Sequence, residues 1–108
     1  MTGAELGDYK ITILSDYLKG SKKLKVLKLI KNKLTDDCLS DLLIAVKESN
    51  LTSLNLSQNT FSDKSVNILE TILPANLKTI TLSLNKINRR NVKTKIEGLL
   101  GKGLNVLL

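Results

Sequence analysis

Histidine and tryptophan are absent from this chain, which holds one cysteine, one proline, one phenylalanine and two tyrosines. Without histidine it lacks the commonest general base, the usual zinc ligand and any Ser-His or Cys-His nucleophile pair. A single cysteine, Cys38, cannot close an internal disulfide, so nothing argues for an oxidising compartment. The longest unbroken apolar run is Leu42-Leu43-Ile44-Ala45-Val46, far short of a membrane span. Charges are scattered through the first thirty residues and leave no apolar stretch of signal-peptide length. The expectation is a cytoplasmic protein, with a secreted effector as the alternative.

What is present is leucine, at 23 of 108 positions, in a chain long enough for one domain. The formal net charge of +7 is distributed unevenly: residues 1–33 carry +5, residues 34–77 carry −4 and residues 78–108 carry +6. Fifteen of the seventeen bases are lysine, and the two arginines are Arg89 and Arg90. Arginine supplies the planar fork that reads bases and clamps phosphates, so this balance is weak support for specific nucleic-acid recognition. A basic module binding RNA or an anionic membrane surface through 19–33 and 86–102 is an alternative reading, and a purely structural spacer is another.

An eleven-residue pattern recurs, apolar at positions 1, 4, 6 and 11 with asparagine at 9. The first copy holds Leu24, Leu27, Leu29, Asn32 and Leu34, and the second Leu51, Leu54, Leu56, Asn59 and Phe61. The third holds Leu77, Ile80, Leu82, Asn85 and Ile87, and a fourth starts at Leu104 with Leu107 at its position 4. The starts lie 27, 26 and 27 residues apart.

The stretches between the copies repeat as well. Counted from position 11, offset 5 gives Leu39, Val66 and Val92, and offset 12 gives Val46, Leu73 and Leu99. Offset 8 gives Leu42 and Leu69, then Lys95, where the neighbouring Ile96 takes over. Such spacing lays one apolar stripe along a helix. Offset 1 holds the N-cap residues Thr35, Ser62 and Asn88, and Asp36 and Asp63 follow where the helix dipole favours an acid. Arg89 breaks that rule, and Pro74 stands where the second helix must stop. At the N-terminus Leu6, Ile11, Leu14 and Leu18 fit the same offsets, with Gly7 at the cap and Asp8 after it.

The pattern resembles the leucine-rich repeat, and its length is similar to the ribonuclease-inhibitor-like type of that family. The resemblance implies an α/β solenoid, a short right-handed horseshoe segment with parallel strands on the concave face and helices on the convex face. It would be a single domain, 1–108: a helical half-repeat at 6–23, complete repeats at 24–50, 51–76 and 77–103, and the start of a further strand at 104–108.

No catalytic constellation emerges. Asp36, Asp37 and Asp41 sit at a helix start without metal-ligand spacing, and Cys38, at an offset occupied by Lys10, Ser65 and Asn91 elsewhere, reads as a partly exposed bystander. Gly98, Gly101 and Gly103 follow a helix and do not form a phosphate loop. The expectation is therefore a non-enzymatic protein–protein interaction module without cofactor or metal. Asn32, Asn59 and Asn85 are expected to form a structural hydrogen-bonded ladder. Strand alternation turns Val26, Lys28, Ile30, Ser53, Asn55, Ser57, Thr79, Thr81 and Ser83 away from the core. The resemblance implies that this concave face, with Lys31 beside it, meets a partner protein, most strongly around Val26, Lys28 and Ile30. The apolar strand 104–108 is also expected to support self-association.

Overall fold

Three short strands precede stretches that wind into helices, and a fourth strand closes the series. The computed structural model describes residues 7–108, so Leu6 lies outside the described residues. A single 3-10 turn at Asp8–Lys10 leads into α1 (Ile11–Gly20), followed by β1 (Val26–Lys28), a 3-10 turn at Asp36–Cys38, and α2 (Leu39–Lys47). Then come β2 (Ser53–Asn55), α3 (Lys64–Thr71), β3 (Thr79–Thr81), α4 (Arg89–Gly101) and β4 (Asn105–Leu107). The strands form one sheet in the order β1-β2-β3-β4, every pair parallel. Successive parallel strands need a crossover, and α2, α3 and α4 supply the three. Among the described residues no helix is long and apolar enough to cross a membrane.

The sheet and the helices bury one core between them. Leu27, Leu54, Ile80 and Val106 stand side by side across the strands, all buried, with Leu29, Leu56 and Leu82 behind them. From the helices come Ile11 and Leu18, Leu39, Leu42 and Val46, Val66 and Leu69, and Val92 and Leu99. Each such side chain contributes about 1.5–3 kcal/mol relative to exposure. Ile96 packs partly buried against this core while Lys95 is exposed, so the stripe on α4 shifts by one residue.

The cap positions act as the sequence suggests. Thr35 Oγ1 accepts from the Asp37 N–H at 3.3 Å, Ser62 Oγ from Lys64 N–H at 3.3 Å, and Asn88 Oδ1 from Arg90 N–H at 2.9 Å. Pro74 is buried past the end of α3, and its carbonyl accepts from the Leu77 N–H at 3.2 Å.

The fourth strand corrects the alignment. Ile80 pairs with Val106 and Thr81 with Leu107, so Val106, not Leu107, occupies position 4. Val106 is accordingly 7% exposed and Leu107 44%. A slip of one residue exchanges the two faces of a strand. Aligning on Leu104 met the leucine pattern but put the wrong side chains inward.

Candidate partner-binding face

Two rows of side chains stand on the sheet face opposite the core. Strand register places Val26, Ser53, Thr79 and Asn105 in one row, and Lys28, Asn55, Thr81 and Leu107 in the other. The residues at the two edges are exposed, and the four in the middle strands are half-buried. The face is narrower than alternation alone implies. Each strand is three residues long, so Ile30, Ser57 and Ser83 lie past the strand ends, in the turns. Ser57 is 8% exposed, and both its N–H and its hydroxyl donate to Asn55 Oδ1, at 3.0 and 2.8 Å. It ties Asn55 in place and offers little to a partner. Lys31 is exposed in the turn after β1.

The turns are held by three asparagines, and the amides of Asn59 and Asn85 reach the preceding strand–helix unit. Asn59 Oδ1 accepts from the N–H groups of Asn32 (2.9 Å) and Leu34 (3.0 Å). Its Nδ2 donates to the carbonyls of Leu29 (3.0 Å), Leu56 (2.9 Å) and Ser57 (3.1 Å). Asn85 repeats the arrangement one unit on, accepting from Phe61 N–H at 2.9 Å and donating to the Leu56, Leu82 and Ser83 carbonyls. Asn32 donates from Nδ2 to the Ile30 carbonyl at 3.0 Å and is fully buried. Just before each asparagine the backbone turns left-handed: φ is 58° at Lys31, 56° at Gln58 and 58° at Leu84. That conformation costs about 1–2 kcal/mol for a residue with a side chain, and the asparagine's several bonds hold it.

A second ladder, read in the sequence only as helix-dipole acids, joins the same units through aspartates. Asp8 accepts from the Thr35 N–H at 2.8 Å and from the Thr35 hydroxyl. Asp36 accepts from the Ser62 N–H at 3.0 Å and from the Ser62 hydroxyl. Asp63 accepts from Asn88 N–H at 2.7 Å and from Asn91 Nδ2 at 3.0 Å, and these bonds hold its carboxyl below the usual range. Each aspartate thus clasps the cap residue of the following helix. Arg89, fourth in this series, instead donates from Nη2 to the Leu108 carbonyl at 2.7 Å.

Further asparagines staple the far ends of the strands. Asn50 Nδ2 donates to the Lys22 carbonyl at 2.8 Å, and Asn76 Nδ2 to those of Leu51 (2.6 Å) and Val46 (3.1 Å). Both precede position 1 of a copy.

Cys38 is buried, contrary to the expectation of partial exposure. Its Sγ lies 3.3 Å from the Thr35 carbonyl, just as Ser65 Oγ donates to the Ser62 carbonyl at 2.8 Å. The site takes a small side chain that can bond back three residues, and its polarity in other copies does not mean exposure. Burial, reinforced by the Asp8 carboxylate, pushes the thiol pKa far above its ordinary value. We expect an aromatic disulfide reagent at pH 8 to label native Cys38 on the order of 100-fold more slowly than the urea-unfolded chain. Equal rates would show the thiol to be open to solvent.

Among the described residues no group of three or more His, Cys, Asp or Glu side chains could hold a metal ion. Asp36 is engaged by Ser62, and the three acids 36, 37 and 41 do not converge on a site. No family model matches this chain, and no curated protein matches it.

Proposed function

We propose that the chain is a leucine-rich-repeat solenoid of the ribonuclease-inhibitor-like type, acting as a non-enzymatic protein–protein recognition module. The observation that carries the reading is the registered face: four parallel strands align their outward side chains in two straight rows. A surface with its backbone fixed from behind by asparagine and aspartate bonds is preorganised, so little ordering entropy is lost when a partner docks. Its chemistry is uneven. The middle is small and hydroxyl-bearing, with Ser53, Asn55, Thr79 and Thr81, whereas the β1 edge presents Val26 at 49% exposure beside Lys28. Apolar surface next to a charge is the better anchor, so the contact centres on Val26, Lys28 and the half-buried Ile30.

The test begins with capture of a partner from cell lysate at low and high salt. Contacts centred on buried apolar groups lose little affinity with salt, whereas an RNA or membrane surface held by lysines loses it steeply. Lys28→Glu combined with Ile30→Ser should weaken capture about tenfold, and Ser53→Ala with Thr79→Ala less than about threefold. The reverse ranking would move the contact to the middle strands. Capture that vanishes with salt would support the anionic partner.

A further inference from the structure

On the helix side, α1 packs against α2 and leaves a notch of about 220 Å³. Thr12, Ser15, Asp16 and Lys19 line it from α1, and Asp41 and Ile44 from α2. Ser15 is 4% exposed, and its Oγ is buried with no hydrogen-bond partner among the described residues. The other five are exposed, so the hydroxyl lies under side chains that can rotate aside. A hydroxyl stranded in this way costs stability. Close helix packing explains a small residue there, yet alanine would pack as closely without that cost. Lys19 has a counterion in Glu48, 4.0 Å away. Asp16 and Asp41 have none among the described residues, which leaves two unmatched carboxylates beside an unmatched hydroxyl.

We propose that this notch takes a primary alkylammonium group, carried by a lysine side chain of another protein or by a small free amine. The inference is independent of the reading of the sheet face. An ammonium brings three donors and one positive charge, enough to bond Ser15 Oγ and meet the carboxylates of Asp16 and Asp41. Ile44, 41% exposed, offers apolar surface to the methylene stem. An anion is repelled by the two carboxylates, and a neutral donor leaves their charge unmet. A divalent cation wants more oxygen ligands than they supply, and among the described residues no group of three acids could hold one. The volume lies below the roughly 300–1,000 Å³ of drug-sized sites, which suits a single group of side-chain size.

The experiment titrates the 108-residue chain with n-butylammonium chloride at constant ionic strength, followed by amide NMR shifts at Ser15, Asp16 and Asp41. We expect saturation with Kd on the order of 1–10 mM, and no saturable shift with n-butanol. Asp16→Asn with Asp41→Asn should weaken binding about tenfold or more. Asp37→Asn with Glu70→Gln removes equal charge from exposed positions outside the notch and should alter Kd less than about twofold. Ser15→Ala should weaken binding about fivefold and leave the urea midpoint of the amine-free chain unchanged or higher, since no bond is lost. N-acetyl-lysine amide binding as tightly as butylammonium identifies a protein's lysine as the source, whereas saturation by spermidine but not by the lysine amide identifies a free amine. No saturation, undiminished binding by Ser15→Ala, or a lowered midpoint in that variant would overturn the proposal. So would equal loss in the Asp37/Glu70 control, or magnesium ion shifting the same amides at lower concentration than the amine.

Discussion

Replacing Asn59 with alanine is expected to lower the unfolding free energy by about 3 kcal/mol. The side chain is nearly fully buried and serves five backbone groups, two N–H donors and three carbonyls. Alanine leaves all of them short of a partner in a place where water enters poorly, and removes the clamp on the left-handed Gln58. Asn59→Asp keeps the acceptor for Asn32 and Leu34 but cannot donate, and places a charge in the turn; it should be no less damaging. Asn67→Ala is the control, on the exposed side of α3 with its Oδ1 receiving only a surface bond from Lys95, and should cost less than about 0.5 kcal/mol. Urea midpoints measure all three. Equal midpoints for Asn59→Ala and Asn67→Ala would mean that the asparagine bonds do not hold the units together.

Phe61→Ala should be at least as severe, at about 3–5 kcal/mol. Phe61 is the one phenylalanine in the chain, is fully buried, and closes the second copy of the pattern where Leu34 and Ile87 close the others. Its backbone is tied on both sides: its N–H donates to Asn85 and its carbonyl accepts from Lys86 N–H at 2.8 Å. The site therefore cannot collapse around the missing ring, and the cavity term remains. Phe61→Leu should cost about 1 kcal/mol, since this position carries leucine in the first copy. Against a total of about 5–15 kcal/mol, the alanine variant would be marginal or unfolded at 37 °C. Alanine and leucine variants with the same midpoint would contradict central packing of the ring.

The elements were legible because two periodicities alternate and each repeats. Positions 4 and 6 put Leu54 and Leu56 under the sheet, and offsets 5 and 8 put Val66 and Leu69 under the helix. What escaped reading has physical causes. Asp36 and Asp63 stand at helix starts, where the dipole alone accounts for an acid, and this masks the longer bond each makes to Ser62 and Asn88. The recurrence of an acid beside each cap residue was the signal available. The left-handed turn is invisible because Lys31, Gln58 and Leu84 include no glycine or asparagine, the residues that announce it. Ser57 escaped because alternation was carried two residues beyond the strand. The register of β4 is ambiguous in the sequence because repeats of 26 and 27 residues both occur, so Val106 and Leu107 fit the inward position equally well.

The bonds from Asn59, Asn85, Asp36 and Asp63 that join one unit to the next span 24–30 residues each. That constancy has a kinetic meaning. Adding a unit to an ordered neighbour closes a loop of nearly fixed length, so the entropic cost per addition does not grow with the number already in place. Ordering can then start in the middle, where β2 and β3 have neighbours on both sides, and travel outward in equal steps. The unit of β1 is gripped on both sides, by Asp8 at Thr35 and by Asn59 at Asn32 and Leu34, so its lysine-rich margin rests on a turn anchored like those of the middle units.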